Sequence, residues 1–91
     1  MTEQLELTGD LGDGLRLRKP LACRLKSGKD YFGPYWIAEE TVFWNDGLAE
    51  TQQEALLELR ESLAELYRRG KAGRVASGFW LQLREYIEEV P

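Results

Sequence analysis

Thr51-Gln52-Gln53-Glu54-Ala55-Leu56-Leu57-Glu58-Leu59-Arg60-Glu61-Ser62-Leu63-Ala64-Glu65-Leu66-Tyr67-Arg68-Arg69-Gly70 is the stretch on which the fold turns. Leu56, Leu59, Leu63 and Leu66 recur at intervals of three and four, with Ala55 and Tyr67 beside them, which is the stripe of an amphipathic helix. Thr51 and Glu54 have the spacing of a capping box, in which the threonine hydroxyl and the glutamate carboxylate each take an orphan amide of the first turn. Glu50 suits the positive end of the helix dipole, and Arg68, Arg69 and Lys71 suit the negative end. Gly70 reads as the stop.

Upstream the period changes from near four to two. Leu15, Leu17, Leu21, Cys23 and Leu25 alternate with Arg16, Arg18, Arg24 and Lys26, the pattern of a half-buried strand. Lys19-Pro20 interrupts it, because proline donates nothing to a ladder, so an edge position, a bulge or a break into two strands is expected there. Ser27 to Asp30 reads as a turn, Tyr31 to Glu39 as a second strand, Glu39-Glu40 as a polar turn, and Thr41 to Asn45 as a third strand closed by Asp46-Gly47. Leu5 and Leu7 offer a short edge strand, followed by a glycine-rich turn or loose arm over Gly9–Gly14.

Downstream, Lys71 to Ala76 is a basic linker, and a second helix is expected from Ser77 to Glu89, with Phe79, Leu83, Tyr86 or Ile87, and Val90 on one face. The expected class is α+β in the order β-β-β-α-α: a three-stranded antiparallel meander, open to an added N-terminal edge strand, packed by the amphipathic helix and followed by a C-terminal one. Residues 1–14 form an N-terminal arm, loose or an edge strand. Residues 15–70 form the main domain, and residues 71–91 the linker and a helix that packs on the domain or on a partner.

Composition restricts function. The chain has 91 residues, one domain's worth. A domain of this size buries only roughly 60–65% of its unfolded surface, so dimerisation would help it. Sixteen acidic against twelve basic residues give a net charge of −4, which argues against bulk nucleic-acid affinity. The acidic N-terminus has no apolar run, and no membrane-spanning stretch is present, so a cytoplasmic protein is expected. There is no histidine, the commonest general base and zinc ligand. The single Cys23 lies on the apolar side of its strand and reads as a buried core thiol.

Glu54, Glu58, Glu61 and Glu65 read as a solvated helix face, and the Asp10–Asp13 run lacks the spacing of a calcium loop. No phosphate-binding or nucleophile motif occurs in context, so no catalytic residue, metal or cofactor is expected.

Two candidate surfaces remain. Ten aromatics are more than so small a core hides, and the surplus suggests a protein-binding patch built from Trp36, Trp44, Phe79 and Trp80. The alternative is an RNA-binding face. Six Lys or Arg against one acid lie between Leu15 and Asp30, with Arg16, Arg18, Arg24 and Lys26 on one side of the strand pattern, and a three-stranded sheet with helices on one face resembles the double-stranded RNA-binding fold.

The segment Ala49-Glu50-Thr51-Gln52-Gln53-Glu54-Ala55-Leu56, with Leu66-Tyr67 ending the helix, resembles the strand-to-helix junction of HicB-type antitoxin domains. About 50 residues carry the resemblance, counting the three preceding strands. It implies a non-catalytic, antitoxin-like interaction module, a homodimer whose protein partner is a small ribonuclease toxin. Ala49 stands where the family has glycine, Phe43-Trp44-Asn45-Asp46-Gly47 stands where it has Pro-Gly-Cys, and residues 77–90 are one helix where a helix-turn-helix needs two. Operator binding is therefore not implied.

Overall fold

A computed structural model describes residues 2–91. Seven strands and two helices follow one another as β1 (Thr2–Leu7), β2 (Asp10–Gly12), β3 (Leu15–Leu17), β4 (Leu21–Asp30), β5 (Gly33–Glu40), β6 (Asn45–Ala49), α1 (Gln52–Lys71), α2 (Ser77–Tyr86) and β7 (Ile87–Glu89). The strands form two antiparallel sheets, β1-β4-β5-β6 and β2-β3-β7. The α+β class holds. The simple β-β-β-α-α order does not, because the described residues form seven strands rather than three.

The period-two stretch breaks at Lys19-Pro20, and its halves enter different sheets: β3 joins the small one and β4 is an inner strand of the large one. Leu21, Cys23 and Leu25 of β4 point to the core, with Leu7 of β1 opposite Leu21 and Ala38 of β5 opposite Leu25. Ala55, Leu59, Leu63 and Tyr67 of α1 close over them, and Leu83 and Ile87 complete the cluster. Of the stripe read from sequence, Leu59 and Leu63 with the flanking Ala55 and Tyr67 are buried, and Leu56 and Leu66 lie half-buried at its margin. Thr51 is its N-cap, extended at φ −126° and ψ 158°, and its hydroxyl accepts from the Glu54 amide at 3.2 Å.

Four local expectations are corrected. Ser27–Asp30 is not a turn; it continues β4, and the chain reverses at Tyr31-Phe32. Asp30 Oδ1 accepts the Phe32 amide at 2.8 Å, and Gly33 takes φ +116°, so flanking residues shape the turn and leave its two central positions free for bulky side chains. Thr41–Trp44 is not a strand but the turn between β5 and β6, while Asp46-Gly47 lies inside β6. The reason is Glu40. Its carboxylate is buried and accepts from the Phe43 amide through Oε2 and from the Asn45 amide through Oε1, both at 2.9 Å, so it organises the turn as a backbone partner would.

Gly70 does not end α1. It is buried in the last turn because Trp80 lies on it: a Cβ there would come within 2.3 Å of Trp80 Cε3. The stop is Gly73, at φ +77°, with the Arg74 amide returning to the Arg69 carbonyl at 2.9 Å. The last helix also ends early. Ile87 turns extended, at φ −125° and ψ 138°, and Ile87–Glu89 pairs with Leu17, Arg16 and Leu15 of β3. A β-branched residue beside an open strand edge favours the ladder over another helical turn.

Candidate functional site

β4 and β5 are longer than their neighbours. Among the described residues β1 pairs with β4 over Leu21–Lys26, and β6 pairs with β5 over Trp36–Glu40. The rest of the hairpin projects as a two-stranded arm. Tyr35 stiffens it by lying across Gly28, where an added Cβ would sit 2.4 Å from the ring. At its tip Tyr31 is 96% and Phe32 93% exposed, with ring centroids 5.5 Å apart in an edge-on pair.

The opposite end of β5 carries Trp44, 82% exposed. Its φ is +58°, the left-handed region that a bulky residue enters at a cost of about 1–2 kcal/mol. The buried Glu40 network holds it there: Asn45 Nδ2 reaches Glu40 Oε1 at 3.4 Å, and Ser62 Oγ on α1 donates to Asn45 Oδ1 at 2.6 Å. The turn is thus tied to the helix, and its tryptophan faces water.

Of the four aromatics proposed from sequence, the structure exposes Trp44 and half-buries the other three. Trp36 faces the core from β5. Phe79 meets Phe43 edge-on at 5.7 Å, and Trp80 tilts against Tyr67 at 4.9 Å. Phe79 and Trp80 thereby seal the junction of α2 with the turn and with α1. Tyr31 and Phe32 were missed as site residues because two aromatics flanked by Asp30 and Gly33 look like the start of a strand. The signal that marks them is the Asp-x-x-Gly frame, which is a turn whatever stands between.

The four basic residues of the strand pattern do not form one face. Arg16 and Arg18 belong to the small sheet, where Arg16 Nε meets Glu88 Oε1 at 2.6 Å and Arg18 Nε lies 3.5 Å from Glu88 Oε2. Arg24 and Lys26 belong to the large sheet and share Glu39 Oε1 at 2.9 and 2.8 Å. The hydrogen bond from Lys26, with the two cationic charges, holds the Glu39 carboxyl below the usual range despite some desolvation. Arg16 and Arg18 help dock β7, as do Tyr67 and Lys71, which bind Glu89 at 3.1 and 2.6 Å.

The face of the large sheet turned away from α1 carries Arg24, Lys26 and Glu39, with Tyr35, Ile37 and Leu48 beside them. Near the Trp44 end of this sheet lies a cavity of about 590 Å³, with Leu5, Ala22 and Cys23 as its apolar part and Gln4, Glu6 and Arg24 among its polar ones. Cys23 itself is 4% exposed, and burial pushes its thiol pKa up, away from the thiolate a nucleophile needs.

Among the described residues no group of three His, Cys, Asp or Glu side chains could hold a metal, and no helix is long and apolar enough to cross a membrane. Glu58, read as solvated, accepts the Leu48 amide at 3.0 Å and so occupies a donor on the outer edge of β6. Comparison with protein-family models, curated proteins and solved structures finds no match for this chain.

Proposed function

We propose that this chain is a non-catalytic protein-interaction module that presents aromatic side chains at the two ends of its central hairpin. One observation carries the reading: Tyr31, Phe32 and Trp44 are almost wholly in water while a tight core lies beside them, and Trp44 keeps a backbone conformation that glycine would hold more easily. Exposed Trp and Tyr on a rigid frame are the raw material of interface hot spots.

The resemblance to HicB-type antitoxins gives the reading a concrete form, in which the partner is a small ribonuclease toxin whose active site this chain covers. The succession β4-β5-β6-α1 with Thr51 at the helix cap supports that form. An RNA-binding role is the weaker reading, since Arg16, Arg18, Arg24 and Lys26 are divided between two sheets and each faces a glutamate.

The test is affinity purification from the native host with mass spectrometry, repeated with a Tyr31→Ser/Phe32→Ser/Trp44→Gly variant. The expected result is a defined partner that the variant loses while retaining its circular dichroism spectrum. A partner held equally by the variant would refute the assignment of the aromatics. Retention of RNA that falls steeply with salt would favour the weaker reading.

A further inference from the structure

One hydrogen bond fixes which way the backbone groups point across the whole large sheet. The Leu48 amide donates to Glu58 Oε2 at 3.0 Å, so Leu48 turns its backbone groups away from β5. In an antiparallel ladder, residues bonded to one neighbouring strand alternate with residues that face the other side. Ile37, opposite Leu48, therefore bonds Lys26 of β4, and further along Glu39 bonds Arg24. Leu25, Cys23 and Leu21 then face β1, where they bond Glu3, Leu5 and Leu7. Gln4 and Glu6 are left with N–H and C=O pointing outward. Among the described residues no further strand pairs along that side of β1, and no other backbone group meets either amide.

The other edges are blunted. Glu58 occupies the outer side of β6, β2 has three residues, and just past β7 the Val90 amide returns to the Gly14 carbonyl at 2.7 Å.

The side chains of β1 specify what fits its edge. Leu5 lies on the core side with Leu7 but is half-buried, so the core is open at this flank. Glu3 and Glu6 are exposed, one on each face of the sheet. Among the described residues neither has an ion-pair partner, whereas Glu39, Glu65, Glu88 and Glu89 each have one.

We propose that the outer edge of β1 is a strand-addition site for an extended segment of a partner protein, apolar opposite Leu5 and cationic opposite Glu3 and Glu6. Backbone bonds to Gln4 and Glu6 supply affinity, and the alternating side chains supply choice. The net charge of −4 draws a cationic segment toward the chain. A second copy is a poor occupant, because its β1 brings another Glu3 and Glu6 to the same ladder. The site lies apart from Tyr31, Phe32 and Trp44, so this assignment and that of the aromatics stand or fall separately.

The probe is the blocked peptide Thr-Lys-Ile-Thr-Lys-Thr, which laid antiparallel sets Lys, Ile and Lys opposite Glu6, Leu5 and Glu3. It is titrated into the isotope-labelled intact chain and followed by amide NMR. The expected result is that the Gln4 and Glu6 amides shift and exchange more slowly, with affinity falling as salt rises. N-methylation of the peptide's first Lys and second Thr, opposite Glu6 and Gln4, keeps its charge and removes two donors to β1, and should weaken binding roughly tenfold or more. Gln4→Pro removes the matching donor of the chain while sparing the ladder to β4, and should weaken binding to a similar extent. Should that variant unfold, the N-methylated peptide still decides. Absence of any shift at Gln4 and Glu6, or equal binding of the N-methylated peptide, overturns the site. Slow exchange of both amides in the chain alone, with a doubled mass on sedimentation, makes a second copy the occupant and overturns the cationic partner.

Discussion

Gly47→Ala adds one methyl group at the point where helix and sheet come closest. The new Cβ would lie 2.3 Å from the Ala55 carbonyl oxygen, 2.6 Å from the Leu59 amide nitrogen and 2.9 Å from Glu58 Cβ. Two of these neighbours are backbone atoms of α1, so no rotamer change relieves the contact. Restoring an ordinary separation of 3.4 Å requires the helix to retreat by about 1 Å along a close-packed interface. That retreat loosens Ala55, Leu59 and Leu63 together, all of them at 0% exposure. Overpacking of this kind costs about 1–3 kcal/mol, and the rigid neighbours put Gly47→Ala at the upper end. Against a total of roughly 5–14 kcal/mol for 91 residues, the midpoint should fall by about 10–20 °C.

Urea unfolding and calorimetry, with near-ultraviolet circular dichroism as a packing probe, would measure it. Gly78→Ala is the internal control: nothing lies within 4 Å of its added Cβ, and it sits in helix α2, so it should stabilise by up to about 1 kcal/mol. A loss below about 0.5 kcal/mol for Gly47→Ala would refute the close approach.

Trp44→Gly should raise stability by about 0.5–1 kcal/mol, because relief of the left-handed backbone outweighs the extra freedom of glycine when unfolded; a loss on thermal melting would contradict the strain argument. Glu40→Ala should cost about 2–4 kcal/mol by leaving the Phe43 and Asn45 amides without their acceptor, and exchange of those two amides should speed up before the rest of the sheet. Acid should remove the stabilisation held by Glu39. Its folded pKa lies below the unfolded value, so the contribution is present above the ordinary carboxylate range and is lost as pH falls through the lower folded pKa. Glu39→Gln should therefore lower stability through the neutral region, where the wild-type ion pairs are intact, and leave the acid end, where Glu39 is protonated, little changed, so that the acid limb flattens; an unaltered curve would assign the acid transition elsewhere.

The helix with its Thr51 cap, the alternation of Leu21, Cys23 and Leu25, and the break at Lys19-Pro20 were legible because each is a local pattern set by a few neighbouring residues. What misled local reading were residues that act at a distance. Glu40 in Glu39-Glu40 looks like part of a polar turn, yet it ends β5, and its carboxylate folds back to serve two backbone amides of the turn that follows it over Thr41–Trp44. Gly47 and Gly70 look like punctuation, yet both are close-approach sites, one under α1 and the other under Trp80.

For the candidate site, Trp44 was identifiable as a surplus aromatic, but Trp36, Phe79 and Trp80 carry the same signal and pack on the core. Composition counts the aromatics a core cannot hide without saying which ones are left outside. The arginines follow the same rule: alternation placed Arg16, Arg18, Arg24 and Lys26 on polar sides, while Glu88 and Glu39, distant in sequence, determined that they form ion pairs.

The sequence by itself determined the α+β class, the helix and its cap, the core side of β4 and the absence of histidine chemistry, since periodicity, capping and composition need no knowledge of the rest of the chain. Only the tertiary structure decided that the strands divide into two sheets, that Ile87–Glu89 leaves the helix to pair with β3, and that Tyr31, Phe32 and Trp44 are the exposed aromatics. Those outcomes depend on which edges and faces remain open after the core has closed, and that competition among distant segments is settled by packing.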